Sequence, residues 1–256
     1  MDLDIPRLFA LQDRDNIFET IIAGLYRAVL RPGDLAVDGG ANEGMHAFPL
    51  AGLVGPSGEV LAFEPIPWRA ETLVHRARER RLPQLRVFAE ALAERGGATA
   101  PFHWIRNADG YSGLRPRAYP VAPDVEMLTV TTAALDAVIG DGRPWRFGKL
   151  DLEGGEFRAL QGAARALRQH RPVLVFECDR VDAPRHYGYG PDEFFGFFGG
   201  LGYRLRDLFG RPFARESWDS PGYPHYFIAF HPAADGHGEA ERDLPGILER
   251  ALAAAA

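Results

Sequence analysis

Three carboxylates and one unusual cation fall within a single block, Lys149-Leu150-Asp151-Leu152-Glu153-Gly154-Gly155-Glu156. Of the 29 basic residues in the chain, only Lys149 is a lysine. Asp151 follows an apolar run, and side chains two apart on a strand share a face, so Lys149 and Asp151 point the same way. A buried ammonium needs an anionic partner, which Asp151 or Glu177 can supply. In a chain that otherwise uses arginine, a lysine here suggests a need for a point charge rather than a planar fork. Glu153 comes two residues later, and Gly154-Gly155 lets the chain turn. Glu156 then falls in the first turn of a helix, where the helix dipole favours an acid on structural grounds alone. Asp151 and Glu153 are therefore candidates to take a proton from a reacting hydroxyl, which requires a base within hydrogen-bond reach.

A second block, Val37-Asp38-Gly39-Gly40-Ala41-Asn42-Glu43-Gly44, reads as strand, D-x-G-x-x-x-G loop and helix. Glycine lets backbone approach a ligand closely, and Gly40 and Gly44 are the expected approach points. The loop differs from a dinucleotide loop, which is G-x-G-x-x-G and offers helix N–H groups to a pyrophosphate. Here an acid opens the loop, which repels a phosphate and attracts a cation. S-adenosylmethionine carries a sulfonium and an ammonium and no phosphate. Glu64 ends the next apolar run, where an acid accepts hydrogen bonds from ribose hydroxyls. Glu90-Ala91-Leu92 follows the third run, where an adenine edge would lie. All three features sit at C-terminal ends of successive strands, which is where such sheets bind ligands.

The elements that must position these residues follow from periodicity. Ile17, Phe18, Ile21, Ile22, Leu25 and Val29 predict an amphipathic helix over 14–30. Strands are predicted at 35–37, 59–63 and 85–88, with helices over 43–54 and 69–81 between them. This βαβ rhythm implies a parallel sheet. Residues 98–105 and 127–132 look like strands that interrupt it, as an inserted β-hairpin or loop region. Further strands are predicted at 146–150 and 172–176, from 202–203 onward, and at 226–230. Helices are predicted over 156–169, 191–201 and the tail 244–256. The Phe194-Phe195-Gly196-Phe197-Phe198 run reads as a core-facing helical stripe.

These blocks together resemble the FkbM family of S-adenosylmethionine-dependent methyltransferases. The resemblance covers residues 33–180 and also rests on Gly58–Pro65, Thr132–Asp136, Leu160–Ala163 and Arg171–Glu177. Its most specific piece is the K-x-D-x-E-G-x-E block. One departure is Met45-His46, where the family usually carries an aromatic pair. The resemblance implies a Rossmann-like class I methyltransferase fold, an α/β architecture with a seven-stranded, mostly parallel sheet and a β-rich insertion. It implies methyl transfer, usually to oxygen of a natural product or sugar, with Asp38, Gly40, Asn42 and Glu64 as cofactor contacts. Gly39, Gly44, Pro65, Ala91 and Asp151 complete the expected cofactor set, and S-adenosylhomocysteine is the expected product. In the family's strand order the 226–230 strand lies antiparallel beside 172–176. His225 would then converge with Glu177 and Asp151, as a carboxylate-oriented base or as part of a metal site. The expected catalytic set is Asp151, Glu153, Lys149, Glu177 and His225. A divalent metal is not required by any ligand motif. His46, His103, Trp104, Tyr111 and Ser112 are further possible acceptor contacts.

Composition narrows the alternatives. The chain has 256 residues, 46% hydrophobic and 25% charged, average for a globular domain. No linker or repeat divides it, so one domain is expected over 1–256, with an N-terminal helical segment at 1–32, a cofactor-binding core at 33–180, and C-terminal strands and tail at 181–256. A net charge of −6 argues against a nucleic-acid partner, which calls for a basic face. A small-molecule acceptor is expected instead. Cys178 is the sole cysteine, so no internal disulfide forms. No apolar run reaches the roughly 18 residues of a membrane span. The acidic start, Met1-Asp2-Leu3-Asp4, lacks the basic region of a signal peptide, so a cytoplasmic protein is expected. The Ile17, Ile21 and Leu25 stripe would either close the cofactor site or make a homodimer. Rival readings are an N-methyltransferase of the same fold, a non-catalytic cofactor-binding module, and a nucleotide-dependent oxidoreductase, the last opposed by the missing G-x-G-x-x-G.

Overall fold

The computed structural model describes residues 4–119, 122–234 and 236–255. The first three residues of the acidic start and the last residue of the tail lie outside them. Strands β1 (Leu35–Gly39), β2 (Glu59–Phe63) and β3 (Leu85–Phe88) alternate with helices α3 (Ala47–Val54) and α4 (Pro67–Glu79). After an insertion come β7 (Trp145–Leu150), β8 (Val173–Glu177), β9 (Arg204–Asp207) and β10 (Tyr226–Phe230). The sheet order is β3-β2-β1-β7-β8-β10-β9, and β10 runs antiparallel to both of its neighbours. The seven-stranded, mostly parallel α/β architecture is therefore as expected, down to the placement of β10 beside β8. The order reverses at β1, which pairs with β2 on one side and β7 on the other. A crevice opens at such a reversal, outside the carboxyl ends of the strands.

Both faces of the sheet are covered, which is why its central strands are buried throughout. One face carries α1 (Ile5–Asp15), α2 (Ile17–Val29), α3, α4 and α10 (His237–Ala254). The other carries α5 (Leu135–Val138), α6 (Glu156–Gln161), α7 (Ala164–His170) and α9 (Pro191–Gly200), while α8 (Asp182–Tyr187) adds Ala183 to that core. Phe194 and Phe198 of α9 face this core, Phe198 stacking on Phe176 and Phe194 meeting Trp218 edge-on, as the stripe predicts. The insertion forms a second sheet from β4 (Glu90–Leu92), β5 (Thr99–Ile105) and β6 (Val125–Ala133). β5 and β6 make the expected antiparallel pair, and β4 joins parallel to β6. Among the described residues, no helix is long and apolar enough to cross a membrane.

Several expectations are corrected. The predicted helix over 14–30 is two helices, because Asn16 takes a left-handed conformation (φ 54°) between α1 and α2. Ile17, Ile21 and Leu25 are 1%, 0% and 0% exposed, packed inside this chain's own core. That stripe therefore offers no face to a second copy, and the homodimer expectation loses its basis. The predicted helix over 156–169 breaks between α6 and α7. A Cβ on Gly162 would lie 2.4 Å from the Ala93 carbonyl oxygen, so the chain is pressed against its neighbour there. Asp136 then caps α7 from outside, accepting hydrogen bonds from Arg165 N (2.9 Å) and Ala166 N (2.8 Å). The tail helix begins at His237, earlier than expected, and α8 falls outside the expected helices.

Candidate active site

The loop after β1 is shaped by three bonds to the end of β2. Gly40 N and Ala41 N donate to the Phe63 carbonyl (3.0 and 2.9 Å). Asn42 N donates to Glu64 Oε2 (2.9 Å), while Ile66 N donates to the other Glu64 oxygen (2.9 Å). Glu64 thus ties the glycine loop to the start of α4, and its burial raises its pKa. Gly40 has φ +76°, and an added Cβ would lie 1.9 Å from the Asp151 carbonyl oxygen. Only glycine lets β1 and β7 end this close together. Gly44, at φ +87°, answers a different need: its Cβ would meet Phe48 at 2.4 Å and Leu73 at 2.8 Å. Gly39 likewise faces Leu92, at 2.9 Å. Gly39 and Gly44 are therefore each pressed against packing neighbours, and neither lines the cavity that opens beside the loop.

A cavity opens at the sheet reversal. At one end it is lined by Glu64, Pro65, Ala91 and Leu92, and at the other by Gly40, Lys149 and Asp151. Asn42 lines it too, its side chain held by Arg69. Asp38 stands behind the loop, 1% exposed, and neither of its carboxylate oxygens has a hydrogen-bond partner. Burial raises its pKa against the pull of Lys149 and His46. His46 and Glu19 also line the cavity, their side chains 2.6 Å apart. Ser112 lines it as well, whereas His103 and Trp104 lie on β5 and line neither this cavity nor the next.

Lys149 donates to Asp151 Oδ2 at 3.2 Å, so of its two expected partners Asp151 is the one. Burial works against the Lys149 ammonium, but the charges of Asp151, Asp38 and Glu19 win and raise its pKa. The Tyr226 hydroxyl donates to the same Asp151 oxygen at 2.6 Å. Against its burial, Lys149 and Tyr226 together hold the Asp151 pKa down. Glu156 accepts from Leu152 N (2.5 Å) and Gly154 N (3.3 Å), which fixes the turn, in keeping with its structural reading. Its pKa is pushed up to about 7, chiefly by burial.

A second cavity adjoins the first, with Asp151 and Glu153 lining both. Glu177, Asp179, Tyr111, His225 and Arg117 line its walls. Arg117 sits among the carboxylates, touching Glu153 and lying 3.8 Å from Glu177 and 3.7 Å from Asp179. Burial and the Asp151 charge push the Glu153 pKa up to about 8, although Arg117 pulls it back. Glu177 is raised well above the usual range for the same reasons, burial first. Single oxygens of Asp151, Glu153 and Glu177 lie within 4.8 Å of one another. His225 was expected in that set. Its ring instead lies against Phe18 and Tyr226, with centroids 5.2 and 4.8 Å away, and Glu153 takes the third place. The residue that reaches Asp151 from β10 is Tyr226. Cys178 is buried, which pushes its thiol pKa up and argues against a nucleophile.

Sequence reasoning missed Arg117, Tyr226 and Glu19. Arg117 comes from a Gly/Pro/Tyr-rich stretch without periodicity. Tyr226 was read only as the start of a strand. Glu19 had a signal: it is an acid set between the apolar pairs Ile17-Phe18 and Ile21-Ile22.

Residues 38–205 match the methyltransferase FkbM domain family. No curated protein matches the chain. Among solved structures, methyltransferase FkbM from Methylobacillus flagellatus KT is 19% identical, with a TM-score of 0.46 over 80% of this chain and 49% of that one. The chain thus spans about half the length of that protein. An S-adenosylmethionine-dependent O-methyltransferase from Thermotoga maritima is 14% identical, with a TM-score of 0.43 over 82% of this chain and 63% of that one. An rRNA methylase from Streptococcus thermophilus is also 14% identical, with a TM-score of 0.43 over 80% and 90% of the two chains.

Proposed function

The chain belongs to the FkbM methyltransferase domain family, and from that premise we propose that it methylates a hydroxyl oxygen of a small natural-product or sugar-like metabolite with S-adenosylmethionine. The observation that carries this reading is the meeting of two cavities at Asp151 and Glu153. One cavity has the polar groups that suit the cofactor, and the other is open to an acceptor.

Glu64 and Ala91 suit the adenosine end, with Glu64 offering carboxylate oxygens to the ribose hydroxyls. The unpartnered Asp38 carboxylate fits a positively charged ligand held nearby. Bound in this cavity, S-adenosylmethionine supplies a methyl carbon on a sulfonium, open to in-line attack. Asp151, fixed by Lys149 and Tyr226, keeps its negative charge where the two cavities meet. Glu153 faces both cavities, and with a pKa near 8 it takes the hydroxyl proton onto a carboxylate oxygen. Glu177, Asp179 and Arg117 offer hydrogen bonds to a polyhydroxylated acceptor.

Isothermal titration calorimetry with S-adenosylmethionine tests the first half of this reading. The expected result is micromolar binding that Asp38→Ala and Glu64→Ala each weaken at least tenfold, ~1.4 kcal/mol. An absence of binding to the wild-type protein refutes the proposal.

A further inference from the structure

The cavity wall at the Lys149 end is completed from outside the matched domain. Glu19 lies on α2, well before residue 38, where the family match begins. It lines the cavity together with His46 and Lys149. The bond from His46 Nε2 to Glu19 Oε2 holds the Glu19 side chain in place at 2.6 Å. Among the described residues, only this one of the two Glu19 oxygens has a hydrogen-bond partner. The Glu19 side chain is 23% exposed, so its carboxylate reaches the cavity without leaving the helix. Its charge is felt by Asp38, Lys149 and Tyr226 alike.

The charges at this end are unbalanced. Glu19 and Asp151 line the cavity beside the one lysine, and the buried Asp38 adds a third carboxylate whose charge Lys149 also feels. Lys149 spends one N–H on Asp151 and has two left. Such an arrangement complements a zwitterion, with carboxylates for an ammonium and a lysine for a carboxylate. The opposite end, with Glu64, Ala91 and Leu92, is the one suited to a nucleoside.

We infer that Glu19 binds the α-ammonium of the cofactor's amino-acid portion, with His46 as its positioning residue. The inference rests on the proposed use of S-adenosylmethionine. It makes α2 part of the binding site and explains why an acid interrupts an otherwise apolar helix face.

Two ligands that differ only in the amino-acid portion separate this role from a structural one. S-adenosylhomocysteine carries the zwitterionic end, and 5′-methylthioadenosine lacks it. Binding of both is measured by calorimetry on the wild type, Glu19→Gln and Glu19→Asp, with a thermal melt of each ligand-free protein. The expected result for Glu19→Gln is at least tenfold weaker binding of S-adenosylhomocysteine, ~1.4 kcal/mol. Binding of 5′-methylthioadenosine should change less than threefold, and Glu19→Asp should recover part of the loss. Equal losses on both ligands, or no loss on either, overturn the inference while leaving the proposed function intact. If the wild type binds neither ligand, the proposed function falls and this inference with it. Should Glu19→Gln fail to fold, Glu19→Asp decides by the same comparison of ligands.

Discussion

Lys149→Met tests the electrostatic account of the site most directly. Lys149 is 5% exposed, donates to Asp151 Oδ2 at 3.2 Å, and stands opposite Asp38 in the β1–β7 register. Methionine has a similar volume and no charge, so packing changes little. What changes is that the buried Asp38 and the half-buried Asp151 are left without their cation. Removing one partner of a buried pair costs about 3–5 kcal/mol. For a chain of this size each kcal/mol lowers the melting temperature by roughly 2–4 °C, so a fall of roughly 6–20 °C is expected at pH 8.

The loss should also depend on pH. Burial already raises the Asp38 pKa, and without Lys149 both aspartates should protonate more readily still. Lowering the pH from 8 to 5 therefore neutralises the orphaned charges and narrows the gap to wild type. The double variant Lys149→Met/Asp151→Asn should recover much of the loss, because removing both members of a buried pair is often close to neutral. Urea denaturation of the three proteins at both pH values measures this. A Lys149→Met protein within ~1 kcal/mol of wild type at pH 8 refutes the reasoning, since the expected cost is several times larger. So does a loss of equal size at both pH values.

Two smaller perturbations follow from the same geometry. Tyr226→Phe deletes the 2.6 Å bond to Asp151 and should cost about 1.5–3 kcal/mol in urea denaturation, the usual value for a bond to a charged group. Gly40→Ala should abolish cofactor binding in calorimetry, because its Cβ would lie 1.9 Å from the Asp151 carbonyl oxygen. Gly52→Ala, in α3 with nothing within 4 Å, should instead stabilise by roughly 0.5–1 kcal/mol and leave binding unchanged.

What was legible in the sequence is what depends on neighbours along the chain. Tyr226–Phe230 reads as a strand because it is a bounded apolar run, and β10 has those limits. The Lys149–Asp151 pairing is legible because two residues on one strand face share a side. Contacts between distant segments were not legible. Arg117 meets Glu153 across 36 residues, and Tyr226 meets Asp151 across 75. Gly44 illustrates the limit within a motif. The loop pattern alone cannot separate a glycine needed for a ligand from one pressed against Phe48 and Leu73. The break between α6 and α7 has the same origin, since Gly162 is constrained by a carbonyl from Ala93.

The carboxylates gathered at the strand ends also link protons to cofactor charge. Burial and mutual repulsion hold Glu153 near pKa 8 and raise Glu177 well above the usual carboxylate range. In the ligand-free protein, the raised Glu153 pKa contributes stability that is fully present below its ordinary value of 4.5 and is lost as pH rises through about 8. The melting temperature should therefore fall over that window. A sulfonium arriving beside Asp151 favours the ionised carboxylates and expels their protons. S-adenosylmethionine should bind more tightly as pH rises from 6 to 7.5, by up to about tenfold per pH unit for one proton released. S-adenosylhomocysteine has a neutral sulfur and should release fewer protons. Calorimetry in buffers of different ionisation enthalpy counts the protons for each ligand. If the two ligands release the same number, the charge at sulfur is not felt by Glu153 and Glu177. In that case the sulfonium does not lie where the two cavities meet.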